Sequence, residues 1–124
     1  MLKSSRKAHE RRQREQDIFA QAKIEAIRRD AKHGLGGKCL PCWLEVPLRN
    51  GQPGSGLRDD YNHVVPRSRL PGERNWPILH SVENLAPTCR AHHDDYDRRP
   101  EFWLKLMKQE FGYAYDTPIF QAYL

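Results

Sequence analysis

The sequence predicts a small α+β fold, with helices toward both ends of the chain and short strands between them. Apolar residues recur at helical spacing in residues 17–32 and again in residues 100–111. Residues 61–65 and 85–88 have the composition of short strands. The length of 124 residues suits one domain with arms, and a mean hydropathy of -0.88 predicts only a modest core. We therefore expect part of the stability to come from something other than apolar packing.

The first helix is predicted over residues 17–32, where alanines and isoleucines recur at steps of four, three and four. The stripe consists of Ala20, Ile24, Ile27 and Ala31. This spacing predicts a helix with a narrow apolar stripe. The glycines that follow position 33 end the helix. Residues 1–16 are expected to be loosely ordered.

The middle of the chain is predicted to be largely irregular, because prolines and glycines recur throughout it. Its segments are a knuckle with a short strand over residues 40–48, a turn-rich loop over residues 49–56 and a long irregular loop over residues 66–83. A further helix is expected over residues 90–98.

The last part of the chain is predicted to contain one more helix and an aromatic tail. Pro100 suits a first helical turn, and the aromatic and aliphatic residues that follow share one helical face. The chain is therefore divided into three parts, which are a basic helical arm (1–33), a core (34–98), and a C-terminal helix with an aromatic tail that packs on the core (99–124).

The positive charge is confined to the N-terminal arm. Residues 1–33 hold ten Lys and Arg against five Asp and Glu, so they carry the whole formal net charge of +5. Such a segment suits a phosphate backbone, and the candidate contacts are Arg11, Arg12 and Arg14. The alternative, a solvated helix face that keeps the protein in solution, stays open. The five acidic residues argue against a mitochondrial transit peptide, because such peptides contain few acids.

The same composition predicts a cytoplasmic protein. Residues 1–16 contain no apolar stretch like that of a secretory signal, and no run approaches the roughly 18 apolar residues that cross a bilayer. We therefore expect no membrane partner. An odd number of cysteines is unsuited to a disulfide framework, so we expect reduced thiols that are available to a metal.

All three cysteines belong to one pattern, in which Cys39-x-x-Cys42 is followed after 46 residues by Cys89-x-x-His92. Two residues between ligands allow one tight turn to present both side chains to a tetrahedral ion. Three thiolates and one imidazole leave no open position, which predicts structural zinc. A redox pair, the alternative for an isolated Cys-x-x-Cys, would not need the second pair.

Three further motifs are interleaved with these ligands. They are Asn62-His63-Val64-Val65-Pro66-Arg67-Ser68, Asn84-Leu85-Ala86-Pro87-Thr88-Cys89 and His92-His93. With them, residues 39–98 resemble an HNH endonuclease of the His-Me, or ββα-metal, superfamily, and look most like its small zinc-knuckle members from phages and mobile elements. The resemblance implies a ββα-metal core and a DNA-cleaving hydrolase that leaves 5′-phosphate and 3′-hydroxyl ends.

The resemblance implies a role for each motif residue. His63 would be the general base that deprotonates a water molecule, and Asn84 would hold the long loop so that His63 stays oriented. His93 and residue 62 would bind a catalytic Mg²⁺, Mn²⁺ or Ni²⁺ ion. The family usually has Asp, or sometimes His, at the position of Asn62, and a fourth cysteine at the position of His92.

Two interpretations of Asn62 stay open, because a neutral amide binds such ions more weakly than a carboxylate does. Either Asp59 and Asp60 compensate for it, or the chain is an attenuated or inactivated nuclease. In the second case the protein would be a zinc-stabilised module that binds nucleic acid. A redox or protein-interaction zinc protein is a third class, but it gives no reason for the positions of Asn84 and His93.

DNA is the partner that the resemblance implies, together with other phage DNA-processing proteins and, for a phage protein, a location in the host cytoplasm. Candidate phosphate contacts near the site are Arg67, Arg69 and Arg90. Other prominent residues receive plainer interpretations. We interpret His33 and His80 as ordinary loop residues, with an extra contact to metal or phosphate as the alternative. Trp43 is expected in the core, and Trp76 either in the core or stacked on bases.

Overall fold

The computed structural model describes residues 2–96 of the protein. The fold of this part is mixed α+β, as predicted. Its helices are α1 (Leu2–Lys32), α2 (Leu40–Trp43), α3 (Trp76–Leu79) and α4 (Arg90–Tyr96), and its strands are β1 (Asp60–His63) and β2 (Leu85–Thr88). Short 3₁₀ turns occur at Arg67–Arg69, Glu73–Asn75 and Val82–Asn84. The C-terminal helix and aromatic tail predicted over residues 99–124 lie outside the described residues.

Helix α1 begins at Leu2, so the expectation of loose order over residues 1–16 is wrong. No Gly or Pro precedes position 34, and the segment consists largely of Arg, Lys, Gln, Glu and Ala, which favour helix. The helix ends at Lys32, and two residues later Gly34 has a φ of 77° that suits glycine. The next amide, that of Leu35, donates to the carbonyl of Asp30 at 2.8 Å and closes a Schellman-type cap.

The apolar stripe predicted on α1 is not the face that packs on the core. Ile24 and Ile27 are 45% and 44% exposed, and the two alanines of the stripe are exposed as well. The buried residues of α1 are Ala22, Ala26, Arg29 and Asp30. Alanines let the helix approach the sheet closely, and the rest of this face is charged. Because two of the four buried residues on this face are charged, the periodicity of apolar residues does not reveal it.

A buried ion pair joins α1 to the sheet. Arg29 Nε donates to Asp30 Oδ1 at 3.0 Å, and the same guanidinium donates to the carbonyls of Val82 and Leu85, each at 2.7 Å. Asp30 also accepts a hydrogen bond from the hydroxyl of Tyr61 on β1. Burial and the Asp30 carboxylate raise the pKa of Tyr61, so the hydroxyl stays protonated and donates. Helix α1 is therefore part of the core.

Strands β1 and β2 form an antiparallel pair, in which Asn62 lies opposite Ala86 and His63 opposite Leu85. Successive side chains of a strand point to opposite faces. Tyr61 and His63 therefore face α1, while Asn62 lies on the opposite face of β1, toward α4. The strand predicted over residues 85–88 is confirmed. The first strand is displaced by one to two residues from the predicted residues 61–65.

The segment after the first cysteine differs from its prediction. Residues 40–43 form the short helix α2, with Pro41 in its first turn, and no strand occurs between residues 40 and 48. Trp43, expected in the core, is 42% exposed. Farther along, the predicted irregular loop over residues 66–83 contains α3 and three short turns, and it packs against α1.

Candidate metal centre and histidine cluster

The four predicted zinc ligands come together at one point. Their three sulfurs and one imidazole nitrogen all lie within 4.8 Å of one another. The ligands are Cys39, Cys42, Cys89 and His92. The first pair lies at the start of α2, and the second pair lies where β2 leads into α4. The described chain thus contains a cluster that could hold a metal ion.

The spacing within the cluster fits a tetrahedral ion. The sulfurs of Cys42 and Cys89 are 3.8 Å apart. Nδ1 of His92 lies 3.7, 3.4 and 3.2 Å from the three sulfurs. With ordinary zinc bond lengths, a tetrahedron has edges of about 3.8 Å between sulfurs and about 3.6 Å between sulfur and nitrogen. All three cysteines are free of disulfides, so the donor set is consistent with zinc.

His92 presents the correct nitrogen to the sulfurs. Its Nε2 donates to the carbonyl of Val46 at 2.7 Å, which leaves the lone pair of Nδ1 directed at the cluster. Burial raises the pKa of the Cys39 thiol. Burial would also raise the pKa of Cys89, but hydrogen bonds from backbone amides, foremost that of His92, outweigh it and lower that pKa to about 7. Metal binding at this cluster therefore releases thiol protons.

The backbone of Gly54 passes directly beside the cluster. A Cβ atom at this position would lie 2.7 Å from the sulfur of Cys42, 2.8 Å from that of Cys89 and 2.8 Å from Nδ1 of His92. Any other residue at position 54 would therefore place carbon against the ligand atoms. The sequence contains several glycines in this loop, and nothing in the pattern distinguishes Gly54 from Gly51 or Gly56.

Asn84, to which the resemblance assigns the role of holding the loop, is completely buried just before β2. Its Oδ1 accepts from the amide of Val65 at 2.8 Å, and its Nδ2 donates to the carbonyls of Val65 at 3.0 Å and Leu79 at 2.9 Å. The carbonyl of Asn84 accepts from the amide of Val64 at 2.9 Å. These bonds join the two ends of the loop that follows β1.

His63 occupies the last position of β1, on the face toward α1. The ring of Phe19 lies 4.9 Å from the His63 ring between centroids, and Nε2 of His63 lies 3.0 Å from Nδ1 of His80. Burial, followed by the proximity of His80 and Arg67, lowers the pKa of His63 to about 4. The imidazole is therefore neutral at pH 7 and can accept a proton.

His80, which the sequence suggested to be an ordinary loop residue, is 3% exposed and lies between the side chains of His63 and Glu15. Its Nε2 lies 2.7 Å from Oε2 of Glu15 on α1, and its ring stacks on Phe19 at 4.9 Å. Burial would raise the pKa of Glu15, but hydrogen bonds from His80 and Arg67 outweigh it and lower that pKa. Glu15 looks like one acid in a basic surface helix, and no sequence signal connects it to His80.

His93 belongs to α4, which lies on the other side of β1 from α1. Its Nδ1 is 3.9 Å from a carboxylate oxygen of Asp60. Asn62 is 4% exposed, and among the described residues its Nδ2 has no hydrogen-bond partner. Turning the amide by 180° exchanges oxygen and nitrogen, so this buried position can hold an oxygen. Asp59 differs from Asp60, because it accepts the amide of Arg90 at 2.8 Å and caps α4.

The arginines of the arm lie against the loop that follows β1. Arg11 and Arg14 pair with Glu73, at 3.8 and 3.1 Å, and both side chains remain 55% exposed. The guanidinium of Arg11 lies 5.6 Å from the ring centroid of Trp76, which is buried. Trp76, left open as core or base-stacking, is therefore largely covered. Arg12 lines a cavity of about 410 Å³ between the helix and the loop.

The other three candidate phosphate contacts are distributed over two elements. They are Arg67, Arg69 and Arg90. Arg67 and Arg69 lie on the exposed turn that follows β1, and Arg67 pairs with Glu15 at 2.7 Å while its side chain is 62% exposed. Arg90 begins α4 and is 72% exposed beside Asp94. Arg67 also lines the cavity that includes Arg12, so the arm and the loop contribute cations to one surface.

Comparisons with protein-family models, with curated proteins and with solved structures found no match. Within residues 2–96, no helix combines the length and the apolar composition that crossing a bilayer requires. Helix α1 reaches 31 residues, but charged side chains occur along its whole length.

Proposed function

We propose that the protein is a metal-dependent DNA endonuclease of the HNH type, which hydrolyses phosphodiester bonds with His63 as the general base. The surroundings of His63 carry the proposal. This imidazole is unprotonated at pH 7 because burial lowers its pKa, and the buried Asn84 holds the loop directly after it. A hairpin followed by α4, with His93 toward β1, agrees with the ββα-metal arrangement that the resemblance implies.

A catalytic divalent ion is the second part of the proposal, and the donor set on the α4 face of β1 fits one. The imidazole of His93 lies near the Asp60 carboxylate, and the buried amide of Asn62 shares that face. Nitrogen and oxygen donors suit Mn²⁺ and Ni²⁺, and carboxylate oxygen suits Mg²⁺. Asp60 would supply the negative charge that Asn62 lacks. An ion bound there would stabilise charge on the phosphate oxygens during cleavage.

DNA binding is proposed for the arginine surface formed by α1 and the loop after β1. Arg11, Arg14 and Arg67 are all more than half exposed although each pairs with an acid. Exposed ion pairs are weak, so a phosphate can compete with Glu73 for Arg11 and Arg14. The Arg67 side chain stays 62% exposed beside its bond to Glu15, so it can contact a phosphate as well. Contacts of this kind read no sequence and weaken with salt, which predicts salt-sensitive and largely sequence-independent affinity.

Cleavage of supercoiled plasmid tests the function. Zinc-loaded protein is incubated with the plasmid and with Mg²⁺, Mn²⁺, Ni²⁺ or no added ion, and nicked and linear products are separated on agarose. We expect product with at least one ion, no product from His63→Ala, and normal product from the control His33→Ala. Absence of cleavage with every ion, or full cleavage by His63→Ala, would contradict the proposal.

A second candidate is a zinc-stabilised module that binds nucleic acid without cutting it, and the amide at position 62 favours it. The substitution Asn62→Asp separates the two functions. A large gain in cleavage would identify the weak ligand as the limiting feature of a nuclease. The exposed Asn50→Asp changes the charge equally and serves as the control. Salt-sensitive binding without cleavage, in both the wild type and Asn62→Asp, would support the binding module.

A further inference from the structure

A chain of three side chains leads from α1 to the proposed base. Oε2 of Glu15 lies 2.7 Å from Nε2 of His80, and Nδ1 of His80 lies 3.0 Å from Nε2 of His63. The three residues come from α1, the loop after α3 and the end of β1. The side chain of His80 is completely buried, and that of Glu15 is 19% exposed. Both contacts are therefore largely shielded from water.

The direction of these hydrogen bonds follows from the carboxylate. A carboxylate can only accept, so Nε2 of His80 carries a proton and donates it to Glu15. When this is the one proton on the His80 ring, the other ring nitrogen has a lone pair, which accepts from Nε2 of His63. His63 accordingly carries its proton on Nε2, and its Nδ1 has the free lone pair.

We infer that Glu15 and His80 are positioning residues, which fix His63 in the tautomer whose Nδ1 can accept a proton from water. The inference deepens the proposed nuclease function and rests on it for the role of His63. In this account α1 both binds DNA and, through Glu15, orients His63. Without Glu15, His80 could donate to His63 instead, and the proton of His63 would then occupy Nδ1.

Neighbouring side chains hold this chain in one arrangement. The ring of Phe19 lies 4.9 Å from the ring of His63 and is stacked on that of His80 at the same distance. Arg67 contacts the same carboxylate oxygen of Glu15 at 2.7 Å, which keeps the carboxylate ionised and in place. A rotation of either imidazole would require movement of Phe19. The tautomer is therefore set by hydrogen bonds and the ring orientation by packing.

The proton transfer balances within this chain. One O–H bond of water breaks, a bond forms between that proton and Nδ1 of His63, and the hydroxide oxygen is left to attack the phosphorus. As the new P–O bond forms, the P–O3′ bond breaks with its electron pair on the 3′ oxygen, which takes up a proton from solvent to become the 3′-hydroxyl. His63 then carries a positive charge, and its Nε2–H bond to His80 becomes a stronger, charge-assisted hydrogen bond. No proton has to move on to His80 or to Glu15. The two residues orient the base and do not themselves react.

The pair His80→Gln and His80→Met tests the inference through kinetics. Gln can accept from His63 and donate to Glu15, whereas Met has a similar volume but cannot donate. We expect His80→Met to lower kcat by roughly 10- to 100-fold with little change in KM, and His80→Gln to retain most of kcat. In addition, Glu15→Gln should lower kcat more than Glu10→Gln, which removes one acid elsewhere on α1. Equal kcat values for His80→Met and His80→Gln would overturn the inference.

Nuclear magnetic resonance of the zinc-loaded, ¹⁵N-histidine-labelled wild type tests the tautomer without any cleavage. We expect His63 to be protonated at Nε2 and unprotonated at Nδ1, with a coupling across the hydrogen bond to Nδ1 of His80. A proton on Nδ1 of His63 would overturn the inference, even for a protein that cuts DNA. Conversely, a wild type that cuts no DNA but shows the expected tautomer would refute the nuclease function and leave the positioning chain intact.

Discussion

Asn84 binds both backbone groups of Val65, accepting from its amide at 2.8 Å and donating to its carbonyl at 3.0 Å. Val65 follows His63 by two residues, and Asn84 comes 19 residues after Val65. A third bond, to the carbonyl of Leu79, holds the far end of the same loop. One buried amide therefore closes the loop at both ends and keeps β1 ending at His63.

The substitution Asn84→Ala is expected to lower the free energy of unfolding by about 3 kcal/mol or more. Three buried backbone groups lose their partner, and each such group costs about 1–3 kcal/mol. The control Asn75→Ala removes one exposed hydrogen bond, to the carbonyl of Pro71, and should change stability by less than about 0.5 kcal/mol. Chemical denaturation measures both variants. Equal losses would contradict the role of Asn84.

Gly54→Ala should prevent metal binding, because the added methyl group would lie within 2.8 Å of three ligand atoms. Gly36→Ala is the matched control, since a Cβ at that position meets nothing within 4 Å. Zinc content of the purified proteins, determined by mass spectrometry, should fall far below one ion per chain for Gly54→Ala alone. A full zinc complement in Gly54→Ala would show that the loop does not pass beside the ion.

Removal of zinc is expected to unfold the core. Structural zinc contributes about 10–16 kcal/mol of apparent binding free energy in small domains, which matches or exceeds their usual stability. A strong chelator should therefore abolish the cooperative thermal transition followed by circular dichroism. His92→Cys replaces the imidazole with a fourth thiolate and should keep zinc, whereas His92→Ala should lose it. Retention of the transition after complete removal of zinc would contradict a structural role.

Glu15 should make stability depend on pH in acid. Its pKa is lowered in the folded protein, so its contribution is complete above the unfolded pKa of about 4.5 and is lost as the pH falls below that value. The difference in free energy of unfolding between the wild type and Glu15→Gln should thus stay constant from about pH 6 to about pH 4.5 and shrink as the pH falls further, toward about pH 3. Glu10→Gln should show no comparable change. A difference that stays constant down to about pH 3 would refute the ion pairing of Glu15.

The metal cluster was predictable from the sequence because ligand spacing is a local property. Cys39 and Cys42 share one turn, as do Cys89 and His92, so two short patterns define all four ligands. The strand over residues 85–88 was found for the same reason, since its composition is local. Folding then only has to bring the two turns together.

The polar network around His63 could not be predicted in that way. Glu15 and His80 are 65 residues apart, and neither belongs to a spacing pattern. The buried face of α1 was missed because it includes the Arg29–Asp30 pair, whose burial depends on the distant carbonyls of Val82 and Leu85. Whether a polar side chain is buried depends on hydrogen-bond partners far away in the sequence, and the periodicity of apolar residues does not detect such partners.

The most direct test of the central claim is the single-turnover rate at which His63→Ala cleaves an end-labelled DNA duplex, compared with the wild type under saturating protein. Because general acid–base catalysis contributes about 10²- to 10⁴-fold, we expect the rate to fall by at least about 100-fold. DNA affinity, measured by fluorescence anisotropy, should stay within about twofold, since the arginines proposed to bind phosphate are unchanged. Cleavage by His63→Ala at the rate of the wild type would contradict the account.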